Sequence, residues 1–375
     1  MKNDLKCFLK QRGTKVPKPR RPAWLLPEFW KRVIPLNTIG LLARPLVRLY
    51  GPNRARAILN RAVGDAVYSV DRRFITHLGL IGTHGFIYLP GGCAWAVQGP
   101  GCAFCEFQPM IDRLAGRLPI RPSEFRALFR AGFATMRNAD VINVFTAGSF
   151  LNPGEIPEGC QLMLARAVAE ARQVSMLRVE SRVQYVVPEL VGPLVETLGP
   201  ADKTLDVAIG LETQDDRLRN HVLRKGMSRG GFQQAVVTLK SLGARASAYV
   251  MLMPVDMSEA AAYRECLATV RFAFASGVDE VLLQARYSQQ PGVTCPKLWT
   301  IARILEETAA LGPVTLGDWS TELPEPRSWP KNCRVCTPEL MRRLGAWRRT
   351  LLPGFVAATE LPSCPCRLVW EETIE

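Results

Sequence analysis

The chain has 375 residues, 47% hydrophobic and 22% charged, with a mean hydropathy of +0.02, which excludes a disordered or collagen-like chain and leaves material for two or three domains. No apolar run reaches the length of a membrane span, and the opening MKNDLKCFLKQRG lacks the apolar core of a secretory signal, so a cytoplasmic protein with no membrane partner is expected. Lys and Arg number 48 against 34 acids, a net charge of +14.

The first feature in chain order is that charge. Residues 1–60 hold 14 Lys or Arg against Asp4 and Glu28, a local +12 that is nearly the whole excess of the protein. A basic leader before a nearly neutral body predicts an arm for nucleic acid, with an acidic protein or a solvated tail as the alternatives. Pro17, Pro19, Pro22 and Pro27 oppose regular structure before Trp30, and the short apolar runs of 31–75 predict two or three short helices. We take residues 1–83 as a basic N-terminal extension. From residue 84 strand-like runs recur at Gly85–Leu89, Val141–Phe145, Val174–Val179, Leu205–Leu211, Ala246–Met253 and Glu280–Ala285. Helical text lies between them. Phe232, Ala235, Val236 and Leu239 mark one face of a helix that Gly243 stops, and Asp256 with Glu259 predicts a capped start for another. Six β/α units are too few for an eight-stranded barrel, so the expected fold is α/β, an open partial (β/α)6 barrel over 84–312. The alternation stops there, and 313–375 reads as a small Cys-rich C-terminal module.

The long loop after the first of these strands reads LPGGCAWAVQGPGCAFCEF and places Cys93, Cys102 and Cys105 within 13 residues. Four glycines let that backbone curl around a metal centre. Structural zinc needs four ligands and no fourth lies nearby, whereas three thiolates with an open position suit a [4Fe–4S] cluster. Three unligated cysteines are the alternative. With this loop following a strand, the sequence resembles the radical S-adenosylmethionine (radical SAM) superfamily, whose commonest spacing is C-x3-C-x2-C. The longer C-x8-C-x2-C is more like the branch related to the Elongator catalytic subunit.

The resemblance implies a [4Fe–4S] cluster on Cys93, Cys102 and Cys105, with Phe104 as the aromatic before the third cysteine. It implies a turn at Gly148 and Ser149 for the amino group of S-adenosylmethionine, in the text Phe145-Thr-Ala-Gly-Ser-Phe-Leu-Asn-Pro. Glu180 and Arg182 match the Glu-Thr-Arg-Pro-Asp-Tyr element of that branch, with Val183 in place of Pro. Glu212, in Ile209-Gly-Leu-Glu-Thr, matches a cofactor-contacting motif, and Lys225-Gly226 and YVMLMP at Tyr249–Pro254 fit the same pattern. All fall at strand ends, where ligands of parallel β/α folds bind.

The tail carries Cys333-Arg-Val-Cys336 and Cys364-Pro-Cys366, four thiolates that suit zinc, with an auxiliary Fe–S cluster or unligated thiols as alternatives. Cys160 and Cys266 read as core, and Cys295 as a residue that could face the barrel mouth. Together with TAGSFLNPGEIP, RVESRVQYV and AIGLETQDD, this ending is similar to the radical SAM subunit family of archaeosine synthase. That resemblance implies hydrogen abstraction by a 5′-deoxyadenosyl radical and C–N cleavage on a lysine-bearing 7-deazaguanine in tRNA. It also implies a lysine-transferring partner enzyme and an electron donor such as flavodoxin or ferredoxin. Action on a DNA base, a protein or a small molecule stays open, as does a zinc-containing nucleic-acid-binding protein with a degenerate barrel.

Overall fold

A computed structural model describes residues 45–46, 48–50, 68–75, 81–89, 92–105, 120–134, 136, 139–317 and 326–375. The basic leader, Cys7 and His77 lie outside them, as does the Pro-rich stretch around Leu323. An eight-stranded sheet runs in sequence order through β1 (Tyr68–Ile75), β2 (Ile81–Tyr88), β3 (Val141–Phe145), β4 (Met176–Ser181), β5 (Thr204–Glu212), β6 (Arg245–Leu252), β7 (Glu280–Ala285) and β8 (Val314–Leu316). β1 pairs antiparallel with β2, and each later pair is parallel, so seven parallel strands curl into a half-barrel. The α/β partial barrel is therefore as expected, and the sheet extends one strand past the six expected at each end. The text of β1 falls in a stretch expected to be helical, and β8, only three residues long, follows the point where the alternation was expected to stop.

The helices follow the strands: α1 (Ala94–Gln98), α2 (Pro122–Phe133), α3 (Glu158–Ala169), α4 (Pro188–Leu198), α5 (Arg229–Ser241), α6 (Glu259–Ala275), α7 (Leu298–Thr308), α8 (Thr337–Thr350) and α9 (Pro365–Ile374). Phe232, Ala235, Val236 and Leu239 of α5 are buried as expected, and Gly243 stops it at φ +78°. The start of α6 differs from expectation. Ser258 accepts from the Ala261 N–H at 3.2 Å, because Asp256 is occupied with Arg286 at 2.7 Å.

Alternation along each strand sends Leu177, Val179, Val207, Ile209, Ala248, Val250, Val281 and Leu283 into the apolar core. The opposite face carries a buried polar plug at the start of the strands. Arg178 (β4) bridges Asp206 (β5) and Glu280 (β7). Ser247 of β6 donates to Asp206 at 2.9 Å, and Thr315 of β8 to Glu280 at 2.9 Å. Next to it the Asn143 amide meets His84 Nδ1 at 3.3 Å. Replacing Arg178 with methionine would leave two carboxylates buried without their cation, so a loss of about 3–5 kcal/mol in urea unfolding is expected. A loss under about 1 kcal/mol would show that the plug relaxes or takes up protons instead.

The curled sheet has two free edges, β1 and β8, and α8 packs against both. Its Trp347 Nε1 donates to the Val314 carbonyl at 2.9 Å. Arg348 donates to Leu316 (3.1 Å) and Gly317 (2.6 Å), so side chains stand in for a missing strand along the β8 edge.

Candidate functional site

The first loop starts where β2 ends. Leu89 N–H donates to the Phe145 carbonyl (2.8 Å) and Gly92 N–H to Thr146 (3.1 Å), so it is laced to the loop after β3. Cys93 caps the single turn of α1, whose Ala96 and Val97 N–H groups return to the Cys93 carbonyl. Farther on, Ala103 N–H reaches the Leu223 carbonyl at 2.9 Å, and the Trp95 indole donates to the Arg224 carbonyl at 2.9 Å. The three-Cys loop is thus held between the loops that follow β3 and β5.

Cys93, Cys102 and Cys105 are half-buried and free. Burial raises the Cys93 and Cys102 thiols above the usual range, and at Cys102 the charges of Lys225 and Arg182 oppose that rise. The Lys225 ammonium lies 2.6 Å from the Glu212 carboxylate and 5.4 Å from the Phe104 ring centre. Burial lowers the Lys225 pKa, but Glu212 and Cys102 outweigh it and the net shift is upward. The Arg182 guanidinium stacks over Trp95 at 4.5 Å and donates to the Lys225 carbonyl at 2.6 Å. Glu180, one strand away, is lifted by burial to about 7, against the hydrogen bond from Tyr249 and the charge of Lys225.

The expected residues come together at one end of the barrel. Ser149 Oγ accepts from Arg182 N–H at 3.2 Å, and Phe150 N–H donates to the Glu180 carbonyl at 2.8 Å. Gly148 is required by close approach, since a Cβ there would collide with the Gly92 carbonyl and Glu155. Gly226, at φ +62°, lies flat on the Trp95 indole, 2.8 Å from where its Cβ would sit. Non-glycine residues also hold left-handed backbone around this mouth: Ala147 (φ 61°), Glu212 (64°), Arg224 (54°) and Met253 (59°). Such conformations persist only where surrounding structure imposes them, and they gather at working sites. Cys295 donates to the Val293 carbonyl at 3.6 Å, within reach of the charges of Arg286, Lys331 and Asp256.

A cluster and a charged cofactor fit these residues on two observations. Arg182 Nε and Thr146 Oγ1 are buried with no hydrogen-bond partner among the described residues, which leaves polar capacity for a ligand. Cys102 is close enough to Cys93 and to Cys105 for their charges to act on one another, so the three thiols share one region of the site. Sequence reasoning missed Trp95 and Glu155 and left Lys225 without a role. Their partners lie up to 129 residues away, and Glu155 stands in the text only as part of the motif TAGSFLNPGEIP.

The second cluster is the tail. Among the described residues Cys333, Cys336, Cys364 and Cys366 form the one group of potential ligands within 4.8 Å of each other. Sulfur separations are 3.4 Å (333–336), 3.4 Å (333–364), 3.5 Å (336–366) and 3.4 Å (364–366). Zinc–sulfur bonds of about 2.3 Å give a tetrahedron with edges near ~3.8 Å, which one ion could fill with slight expansion. Cys336 and Cys364 cap α8 and α9, whose N-terminal dipoles favour thiolates. Hydrogen bonds, first from the Cys336 backbone and then from Cys364, bring the Cys333 thiol down to about 6, while burial pushes Cys336 up. Cys160 and Cys266 are core residues, as expected. No described helix is long and apolar enough to cross a membrane.

No family model matches the chain. It is similar to archaeosine synthase subunit beta of Methanosarcina acetivorans, 26% identical over 312 residues that cover 77% of this chain and 84% of that protein. Archaeosine synthase subunit beta of Thermococcus kodakarensis matches at 29% over 179 residues, 48% of this chain and 54% of that one. Among solved structures, methylornithine synthase (PylB) matches at 12% identity with a TM-score of 0.39, covering 93% of this chain and 96% of that one. The similarity to archaeosine synthase subunit beta agrees with the resemblance read from the motifs.

Proposed function

We propose that the chain holds a [4Fe–4S] cluster on Cys93, Cys102 and Cys105, cleaves S-adenosylmethionine there, and modifies a 7-deazaguanine base in tRNA by C–N cleavage. When bound, cluster and cofactor supply a one-electron reductant and a radical that abstracts hydrogen. The chain's own residues do the placing. Gly148 and Ser149 form the turn for the cofactor's amino group, Arg182 and Lys225 set positive charge beside Cys102, and Glu212 orients Lys225. Phe104 and Glu180 complete the wall. Below them the polar plug fills the start of the barrel, so reacting groups are shielded from bulk water on that side. The observation that carries this reading is the convergence of three separate strand-end motifs on the three-Cys loop.

The relatives' name, a synthase subunit, supports a partner enzyme, read here as one that first attaches lysine to the base. The electron donor is read as a flavodoxin or ferredoxin, the tail metal as zinc, and the compartment as the cytoplasm. Modified-nucleoside mass spectrometry of RNA and DNA from cells with and without the gene tests the substrate. Loss of a deazaguanine nucleoside from tRNA supports the reading, and a change confined to DNA or to neither overturns it. A zinc-containing nucleic-acid-binding protein would bind no cluster at the first loop on anaerobic reconstitution.

The basic leader is proposed to bind tRNA through Lys2, Lys6, Lys10, Arg12, Lys15, Lys18, Arg20 and Arg21. If it makes about five phosphate contacts, log affinity against log salt should slope at roughly −3.5 to −4.5. Removing residues 1–22 should flatten that slope and weaken tRNA binding while leaving the iron content unchanged. Superimposable titrations of full and truncated chains would reject the arm.

A further inference from the structure

Glu155, in the turn between β3 and α3, is fully buried and has no role in the reading above. Its carboxylate accepts from the Ala94 N–H (2.9 Å), the Asn152 side-chain amide (2.9 Å) and the Ser149 N–H. Ala94 directly follows Cys93, and Ser149 belongs to the Gly148 turn, so one carboxylate ties together the two loops that would hold cluster and cofactor. Its backbone also takes part. The Glu155 carbonyl accepts from Ile120 N–H at 3.2 Å, where the chain returns from the first loop into α2. The carboxylate joins no salt bridge among the described residues.

All three groups aimed at this carboxylate are donors, and a carboxylate is the side chain that only accepts. Glutamine in its place would turn an N–H toward another N–H. Asn152 is matched to the same joint. Its Oδ1 accepts from Gly154 N–H at 2.9 Å and its Nδ2 donates to Glu155. Gly148 leaves no room for adjustment, since a Cβ there would strike Glu155 Oε2 and the Gly92 carbonyl together.

We infer that Glu155 is a positioning residue, fixing the Cys93 loop against the Gly148–Ser149 turn and so setting where S-adenosylmethionine sits relative to the cluster. The inference rests on the radical SAM reading above. Its test uses the full chain, reconstituted anaerobically, as wild type, Glu155→Gln and Asn152→Asp. The second variant keeps the acceptor for Gly154 and sets a like-charged carboxylate where the donor to Glu155 stood, so it probes the joint from its other side even where Glu155→Gln fails to fold. Iron content, the electron paramagnetic resonance signal of the reduced cluster with and without S-adenosylmethionine, and cofactor affinity are the readouts. Both variants are expected to retain a cluster but to lose the cofactor-induced change in that signal, with affinity at least tenfold weaker. A merely structural role would lower iron content and melting temperature together and leave the cofactor-induced change intact in the clusters that remain. That result, or wild-type behaviour in Asn152→Asp, overturns this inference alone. A wild-type chain that binds no cluster overturns it together with the reading it rests on.

Discussion

Cys102→Ala is expected to reduce 5′-deoxyadenosine formation from S-adenosylmethionine by more than about 100-fold, since losing even an outer-shell partner of a metal ligand costs about 10–100-fold. Between residues 92 and 105 there is no histidine and no carboxylate, and Glu212, whose charge reaches Cys102, is paired with Lys225, so the loop segment itself offers no replacement for the missing sulfur. Glu155 is already committed to three donors and points its carboxylate at the loop's backbone. Cys93→Ala and Cys105→Ala should behave alike, because each sulfur is taken to hold a different iron. Cys266→Ala, whose side chain lies in the hydrophobic core, serves as the control and should keep wild-type turnover. Product analysis by chromatography with parallel iron determination decides the matter. Normal 5′-deoxyadenosine output from Cys102→Ala would remove the cluster from this loop.

The second large effect is expected at the tail. Wild-type chain purified without oxygen should contain about one zinc, and a Cys364→Ala, Cys366→Ala chain essentially none. The knot joins the starts of α8 and α9. From there α8 runs across the free edge of β8 through Trp347 and Arg348, while α9 is pinned to α7 by the Trp370 indole on Thr300 at 2.8 Å. Removing two ligands should therefore loosen the side of the barrel as well as the tail. We expect a loss of at least about 4–5 kcal/mol in the stability of this region, the exceptional size that loss of a structural metal can produce. Hydrogen exchange should rise at Val314–Gly317 and along α8. Equal zinc in both proteins would reject the site, and iron in place of zinc would assign a second cluster.

The parallel strands were legible because their covering of helices makes them apolar runs of five to nine residues, and β3 and β7 begin and end as read. The site was legible where chemistry is local. Three thiols on one glycine-rich loop stand in the text, whereas Glu180, Arg182 and Glu212 were singled out by the family resemblance, and their strand ends are where ligands of parallel β/α folds bind. The edges of the sheet were not. β8 has three residues, too few to show a period, and β1 is a strand by virtue of its pairing with β2.

What the chain determined by itself was the inventory: which residues carry sulfur and charge, and in what order the strands bring them to one end. Tertiary structure decided which of them touch. Trp95 meets Gly226 and Arg182, Lys225 pairs with Glu212, and Glu155 reaches back 61 residues to Ala94. It also drew two cysteine pairs of the tail into a single cage of 3.4–3.5 Å edges. Sequence lists donors and acceptors without their distances. Hydrogen bonds and metal ligation act over about 2–4 Å, so specific partners emerge only when packing brings distant segments within that reach.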